Sequence, residues 1–217
     1  MSVERKTRVF MTSTSFPRDA TDWKATFISN MVGSLAARTD IELNFWGPRG
    51  VLPRNVAYAT NSVDAEWFEG LLANGGIANV LRKQNLGSVT NALALVRKLR
   101  AAYANAPIAD VFHANWLQSV VSMKRDRAPL LVTVLGTDFA LLKLPGVTSL
   151  LRRVFRAGPC IIAPNADWMV PRLEECFGDV ASIRCIPFGI DKRWFEILRA
   201  QPTSEPHRWL LARTRAQ

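Results

Sequence analysis

Six short apolar runs alternate with stretches in which apolar residues recur at helical spacing, and this alternation restricts the fold more than any other feature of the 217-residue chain. The runs are residues 8–15 (RVFMTSTS), 41–46, 110–116 (DVFHANW), 130–135, 160–163 and 183–186. Between the first two, Phe27, Ile28, Met31, Val32 and Leu35 repeat as one helix face, with Asp22 placed to cap its start. Residues 89–104 form a second helical pattern, with Val89, Leu93, Val96 and Leu99 expected to face inward and the basic residues outward. Residues 147–156 and 168–177 supply two more helical patterns, whereas 61–86, split by Gly75 and Gly76, defines no boundaries. Strands alternating with helices predict an α/β fold, a Rossmann-like doubly wound parallel sheet covered on both faces. In such a sheet ligands collect at the carboxyl ends of the strands.

An apolar content of 48% over this length is enough for one core. Cys160, Cys176 and Cys185 have no metal-ligand spacing and leave one thiol over, so they predict a reducing, cytoplasmic setting and no metal site. The start, MSVERKTRVF, lacks the apolar segment of a signal peptide, and no apolar run approaches the roughly 20 residues of a spanning helix. The formal charge of +10 is unevenly spread. Residues 70–109 and 139–166 contain no acid but carry Arg82, Lys83, Arg97, Lys98 and Arg100 in the first window and Lys143, Arg152, Arg153 and Arg156 in the second. These windows are either a solvated basic surface or an attraction for polyanions such as anionic lipid. Val147, Leu150, Leu151, Val154 and Phe155 share one helical face, which is either core-facing or able to lie in a membrane interface.

Two strand ends carry side chains suited to a ligand site. The run DVFHANW ends in His113, Asn115 and Trp116, and the next ends in Gly136, Thr137 and Asp138. Glycine there allows a ligand close to the backbone, while the hydroxyl and carboxylate offer polar contacts. A lone histidine after an apolar strand also serves as a structural residue, and Gly-Thr-Asp also makes a turn before a helix.

Taken in order, the opening strand with Ser/Thr-x-x-Pro, DVFHANW, LVTVLGTD, the strand-helix CIIAPNADWMVPRLEECFG and the closing IPFGID resemble the retaining family 4 glycosyltransferases of the two-domain GT-B fold. In that family the last segment is an interdomain joint leading into a donor-binding domain. The resemblance implies an N-terminal acceptor-binding domain over residues 1–198, with 199–217 as a linker and the truncated start of a donor domain. About two dozen residues follow Asp191, too few for a second domain, so the chain is expected to be inactive by itself. Trp209 to Arg213 reads as that domain's first strand cut short, in a tail expected to be disordered or docked as an extension.

The resemblance implies that His113 is the candidate catalytic residue, as a general base or a group that positions acceptor hydroxyls. It implies acceptor contacts at Trp23, Lys24, Asn115, Trp116, Thr137, Asp138 and Asn165, and a donor-side cleft and hinge at Ser15, Phe16, Gly136, Gly189, Ile190 and Asp191. Partners would be a nucleotide-sugar, used as substrate, and a saccharide or lipid-linked acceptor at the inner face of a membrane. No cofactor or metal is implied. Several positions depart from the family pattern. The loop FPRDATDWKATF lacks the Gly-Gly pair that approaches the donor pyrophosphate, Leu135 stands where histidine is common, and Phe188 replaces a common asparagine. An epimerase or phosphorylase of the same fold is the neighbouring alternative. A basic nucleic-acid-binding module is the alternative from another class, disfavoured because no helix-turn-helix, zinc-finger or RNA-recognition signature is present.

Overall fold

The computed structural model describes residues 5–76, 86–124, 128–190 and 195–196, without the side chains of Leu86 and Ser88. Seven parallel strands build one sheet: β1 (Thr7–Thr12), β2 (Ile41–Trp46), β3 (Val56–Tyr58), β4 (Val111–Asn115), β5 (Leu130–Val134), β6 (Cys160–Pro164) and β7 (Ser182–Ile183). Their order across the sheet is β3-β2-β1-β4-β5-β6-β7. The helices are α1 (Thr26–Ala36), α2 (Ser62–Ala73), α3 (Leu86–Ala104), α4 (Asp138–Leu141), α5 (Val147–Arg156) and α6 (Val170–Phe177). Single 3-10 turns, Leu117–Val120 and Asp167–Met169, follow β4 and β6. The chain forms two compact units, Met1–Pro187 and Phe188–Gln217, and all of these elements lie in the first.

The strand order determines which helices cover which face. The chain steps outward from β1 to β3, returns past β1 to β4, and then steps the other way. Right-handed crossovers therefore put α1 on one face and α2, α3, α5 and α6 on the other. The burial pattern agrees. The main core joins Phe10, Ala114, Val132 and Ile162 of the sheet to Phe68 of α2, Leu95, Leu99 and Tyr103 of α3, Leu151 and Phe155 of α5, and Leu173 and Phe177 of α6. On the other face, α1 packs along β2 and buries Ile28 and Val32.

That second face is roofed at one side only. Phe45, Met11, His113, Leu131, Ile161 and Ser182 lie side by side across the sheet, and such a row projects to one face. Phe45, Met11 and His113 are buried, Leu131 is half-buried, and Ile161 and Ser182 are exposed.

Several local expectations are corrected. Helix α1 begins at Thr26, after Ala25 at φ 54°, because the Asp22 carboxylate accepts from the backbone N–H of Arg18 and Lys24 and closes a turn instead of capping a helix. Helix α3 buries Leu95, Leu99 and Tyr103 but leaves Val89 and Leu93 on its solvent side. The apolar side of α5 faces the core through Leu151, Val154 and Phe155, so it is not free to enter a membrane. Regular pairing of β7 ends at Ile183, although Arg184 and Ile186 still donate backbone hydrogen bonds to Ile162 and Pro164. Asp191, Trp194 and the tail 199–217 lie outside the described residues.

Among the described residues no helix is long and apolar enough to cross a membrane. A buried ion pair ties α2 to α3, with Lys98 Nζ 2.7 Å from Asp64 Oδ1. Trp46 Nε1 of β2 donates to the other carboxylate oxygen at 3.2 Å.

Candidate functional site

The sheet reverses its stepping direction between β1 and β4, and their carboxyl ends diverge into separate loops there. That is where an open α/β sheet forms its ligand crevice. Thr12, Ser13, Thr14 and Ser15 leave β1 on one side, and Asn115 and Trp116 leave β4 on the other.

Asn115 is fully buried and spans the two strands, its Nδ2 donating to the Thr12 carbonyl at 3.1 Å. Its Oδ1 has no hydrogen-bond partner among the described residues. A buried carbonyl without a donor is costly, about 1–3 kcal/mol, so an incoming N–H or O–H is favoured at this point. Asn165, half-buried after β6, has an Oδ1 in the same condition. Trp116 follows at φ 69° and ψ 144°, close to a backbone region nearly restricted to glycine, and such strain costs about 1–3 kcal/mol. The surroundings hold it there. Trp116 N–H donates to the Thr133 carbonyl at 2.9 Å, and its ring meets Phe27 of α1 edge-on at 6.1 Å.

Asp138 supplies the rest of that restraint. One carboxylate oxygen accepts from the Leu117 N–H at 2.6 Å, the other from the Leu135 N–H at 2.6 Å. The side chain is 1% exposed, and its burial pushes the carboxyl up to about 7 against the opposing pull of the two N–H donors. Asp138 thus joins the loops after β4 and β5, and both oxygens are committed to the protein's own backbone. It does not offer an acceptor-binding group to a cleft.

His113 also differs from expectation. It is the third residue of a five-residue strand, 5% exposed, two positions below the crevice. Nε2 lies 2.8 Å from Thr133 Oγ1, and burial lowers its pKa to about 4, so the ring is neutral at pH 7. A neutral imidazole below the surface, already engaged with a threonine, positions neighbours better than it abstracts protons.

The remaining candidates divide by exposure. Gly136 and Thr137 are exposed, and the Trp168 ring lies about where a side chain on Gly136 would reach, 3.5 Å from the position of its Cβ. Ser15 is half-buried, but Phe16 is core, packed on Phe45 with ring centroids 4.8 Å apart, and does not line a cleft. Trp23, 79% exposed, and Lys24 stand in the loop before α1, whereas the side chains of His113 and Asn115 bond to Thr133 and Thr12. Gly189 and Ile190 belong to the second unit and are exposed there.

Sequence reasoning missed the polar layer under the crevice. Thr12 Oγ1 and Tyr103 Oη lie 2.9 Å apart, Tyr103 donates to the Ser119 carbonyl at 3.0 Å, and Ser119 Oγ donates to the Asn115 carbonyl at 2.6 Å. The available signal was a threonine at the end of a buried strand and a tyrosine on the inward stripe of α3. Gly47 was also missed. A Cβ there would come within 2.7 Å of the Ser13 carbonyl, so the loop after β2 approaches the β1 loop as closely as a glycine permits. Among the described residues no three His, Cys, Asp or Glu side chains gather into a set that could hold a metal ion.

No family model and no curated protein matches the chain. Among solved structures, the N-terminal domain of Candida albicans trehalose-6-phosphate phosphatase matches with a TM-score of 0.58 at 13% identity, over 94% of this chain and 53% of that one. The chain thus spans about half the length of that structure. At this identity the similarity is one of fold, and with the strand order it makes the chain a Rossmann-like α/β protein with a parallel seven-stranded sheet.

Proposed function

We propose that the chain is the acceptor-side domain of a retaining, nucleotide-sugar-dependent glycosyltransferase of the GT-B type, building a lipid-linked or cell-surface glycan. The observation that carries this reading is the unpartnered Asn115 Oδ1 beneath the β1–β4 crevice, beside the strained Trp116. A sugar hydroxyl is a suitable donor to such an oxygen. Ser15 and Thr137 add hydroxyls at the two neighbouring strand ends. The ordered series of family-like segments supports the same reading. The matching solved structure is named for trehalose-6-phosphate, a phosphorylated disaccharide, and handling of a saccharide is the part of that name relevant here.

In this reading His113 is a positioning residue. Its bond to Thr133 keeps β5 in place under Trp116, whose N–H is held by the Thr133 carbonyl. The nucleotide-sugar is the donor substrate, and the groups that stabilise its departing phosphate belong to a donor-binding domain.

Amide shifts of the chain titrated with free saccharides and with a panel of sugar nucleotides test the proposal. Saccharides should shift Ser13, Asn115 and Trp116, and Asn115→Ala should weaken that response about tenfold, the size of one lost hydrogen bond to a neutral partner. Shifts confined to other surfaces, or an unchanged response in Asn115→Ala, would remove the crevice as an acceptor site.

A further inference from the structure

Helix α3 carries two apolar stripes, and only one is used by the core. Leu95, Leu99 and Tyr103 enter it, while Val89 and Leu93 stay 57% and 59% exposed on the solvent side. Beside that outer stripe, α3 and α5 border a groove of about 580 Å³. Val96, Val121 and Leu150 give it an aliphatic lining, and Arg100, Lys124 and Arg153 stand among them. Arg97 shares a second, shallower depression with Leu93 on the same helix.

Among the described residues the charges in the groove have no ion-pair partner. Lys98 of α3 is paired with Asp64 and Arg152 of α5 with Asp179, but among the described residues Arg100, Lys124 and Arg153 form no ion pair. The two acid-free windows of the sequence supply α3 and α5, so neither helix has a carboxylate of its own to neutralise them. Ser122 Oγ is buried in the same lining without a hydrogen-bond partner among the described residues. Both helices run down toward the starts of the strands that follow them, and the groove residues fall in the second half of α3 and from the middle of α5 onward. The groove lining includes none of Ser13, Asn115 or Trp116 and is a surface distinct from the crevice.

We propose that this groove and the Val89–Leu93 stripe form a docking surface for an anionic phospholipid bilayer. A bilayer interface presents phosphates and acyl chains within a few ångströms of each other, matching unpaired cations interspersed with exposed aliphatic side chains. A single-stranded nucleic acid would use the same charges but also stacks its bases on aromatic rings, and the groove lining contains none. The inference does not depend on the proposed glycosyl transfer, because no residue of the crevice takes part.

Flotation with vesicles of phosphatidylcholine alone, and of phosphatidylcholine with phosphatidylglycerol, tests it. The chain should float only with the anionic vesicles, and less so as salt rises. Arg100→Glu with Arg153→Glu should lower partition by at least about 25-fold, about fivefold for each cation removed. Leu93→Ser with Leu150→Ser, at positions exposed enough to leave the core intact, should lower partition while keeping the salt slope. Arg38→Gln, remote on the turn before β2 and paired with Asp40, should float like the parent chain. Equal flotation with both vesicle types, none with anionic vesicles at low salt, or full flotation of the Arg100→Glu/Arg153→Glu chain overturns the proposal. So does tighter binding to a polyuridylate strand than to the anionic vesicles.

Discussion

The Asp138 carboxylate accepts the backbone N–H of Leu117 at 2.6 Å, across two strand-end loops that no β-ladder connects. It ties the segment just after the strained Trp116 to the start of α4. Asp138→Ala leaves two buried N–H groups without acceptors and should cost about 2–4 kcal/mol of stability, read from the urea midpoint. Asp138→Asn keeps one acceptor and should fall between. A crevice that depends on this tie should also lose its saccharide response in Asp138→Ala before the fold is lost.

Asp138 and His113 should give opposite pH slopes. Burial raises the Asp138 carboxyl to about 7, above its unfolded value, so its contribution is complete below pH 4 and is lost as pH rises through about 7. Burial lowers His113 to about 4, below its unfolded value of 6.5, so its contribution is complete above pH 6.5 and is lost as pH falls toward 4. The two windows overlap, and between about pH 4 and 6.5 the effects oppose each other. His113→Gln should reveal a stability that falls with rising pH there, and Asp138→Asn one that rises. Thermal melts across that range decide it, and parallel slopes in the two variants would contradict the assignment.

Lys98 and Asp64 should behave as a buried pair. Removing the cation alone, in Lys98→Met, leaves a carboxylate with 8% side-chain exposure facing Trp46 Nε1 and Asn61, and should cost about 3–5 kcal/mol. Lys98→Met with Asp64→Asn removes both charges while keeping an oxygen for the indole, and should recover more than half of that loss. A double-mutant cycle by chemical denaturation measures the coupling.

The strands were legible because a parallel strand is apolar on both sides, and β2 and the helix at Val147–Arg156 stand where the pattern sets them. Val56–Tyr58 was not, since three residues with two exposed carry no period. On α3 both stripes have helical spacing, and the sequence does not say which meets the core. Tyr103 decides it through its bonds to Thr12 and Ser119, partners distant in the chain. The same limit applies to the site. The ends of β4 and β5 could be read as places where polar side chains gather, but not that Asp138 turns inward to two backbone amides while Asn115 keeps a free oxygen. Those outcomes depend on what lies opposite, which is tertiary information.

Glycines provide the last test because two of them predict opposite signs. An alanine Cβ at Gly47 would lie 2.7 Å from the Ser13 carbonyl and 2.8 Å from the Phe45 ring, so the β1 and β2 loops would have to separate. Gly47→Ala should cost about 1–3 kcal/mol, as overpacking at a fixed backbone contact does. Gly33, inside α1, has open space where a Cβ would go, and there alanine only restricts the unfolded chain and favours the helix. Gly33→Ala should stabilise by about 0.5–1 kcal/mol. The Gly47 substitution should also disturb the saccharide response, because Ser13 follows Thr12, whose carbonyl holds Asn115 Nδ2, whereas the Gly33 substitution should leave it unchanged. Loss of stability in both variants, or an unmoved Ser13 amide in Gly47→Ala, would show that the β1 loop is not held by the loop after β2.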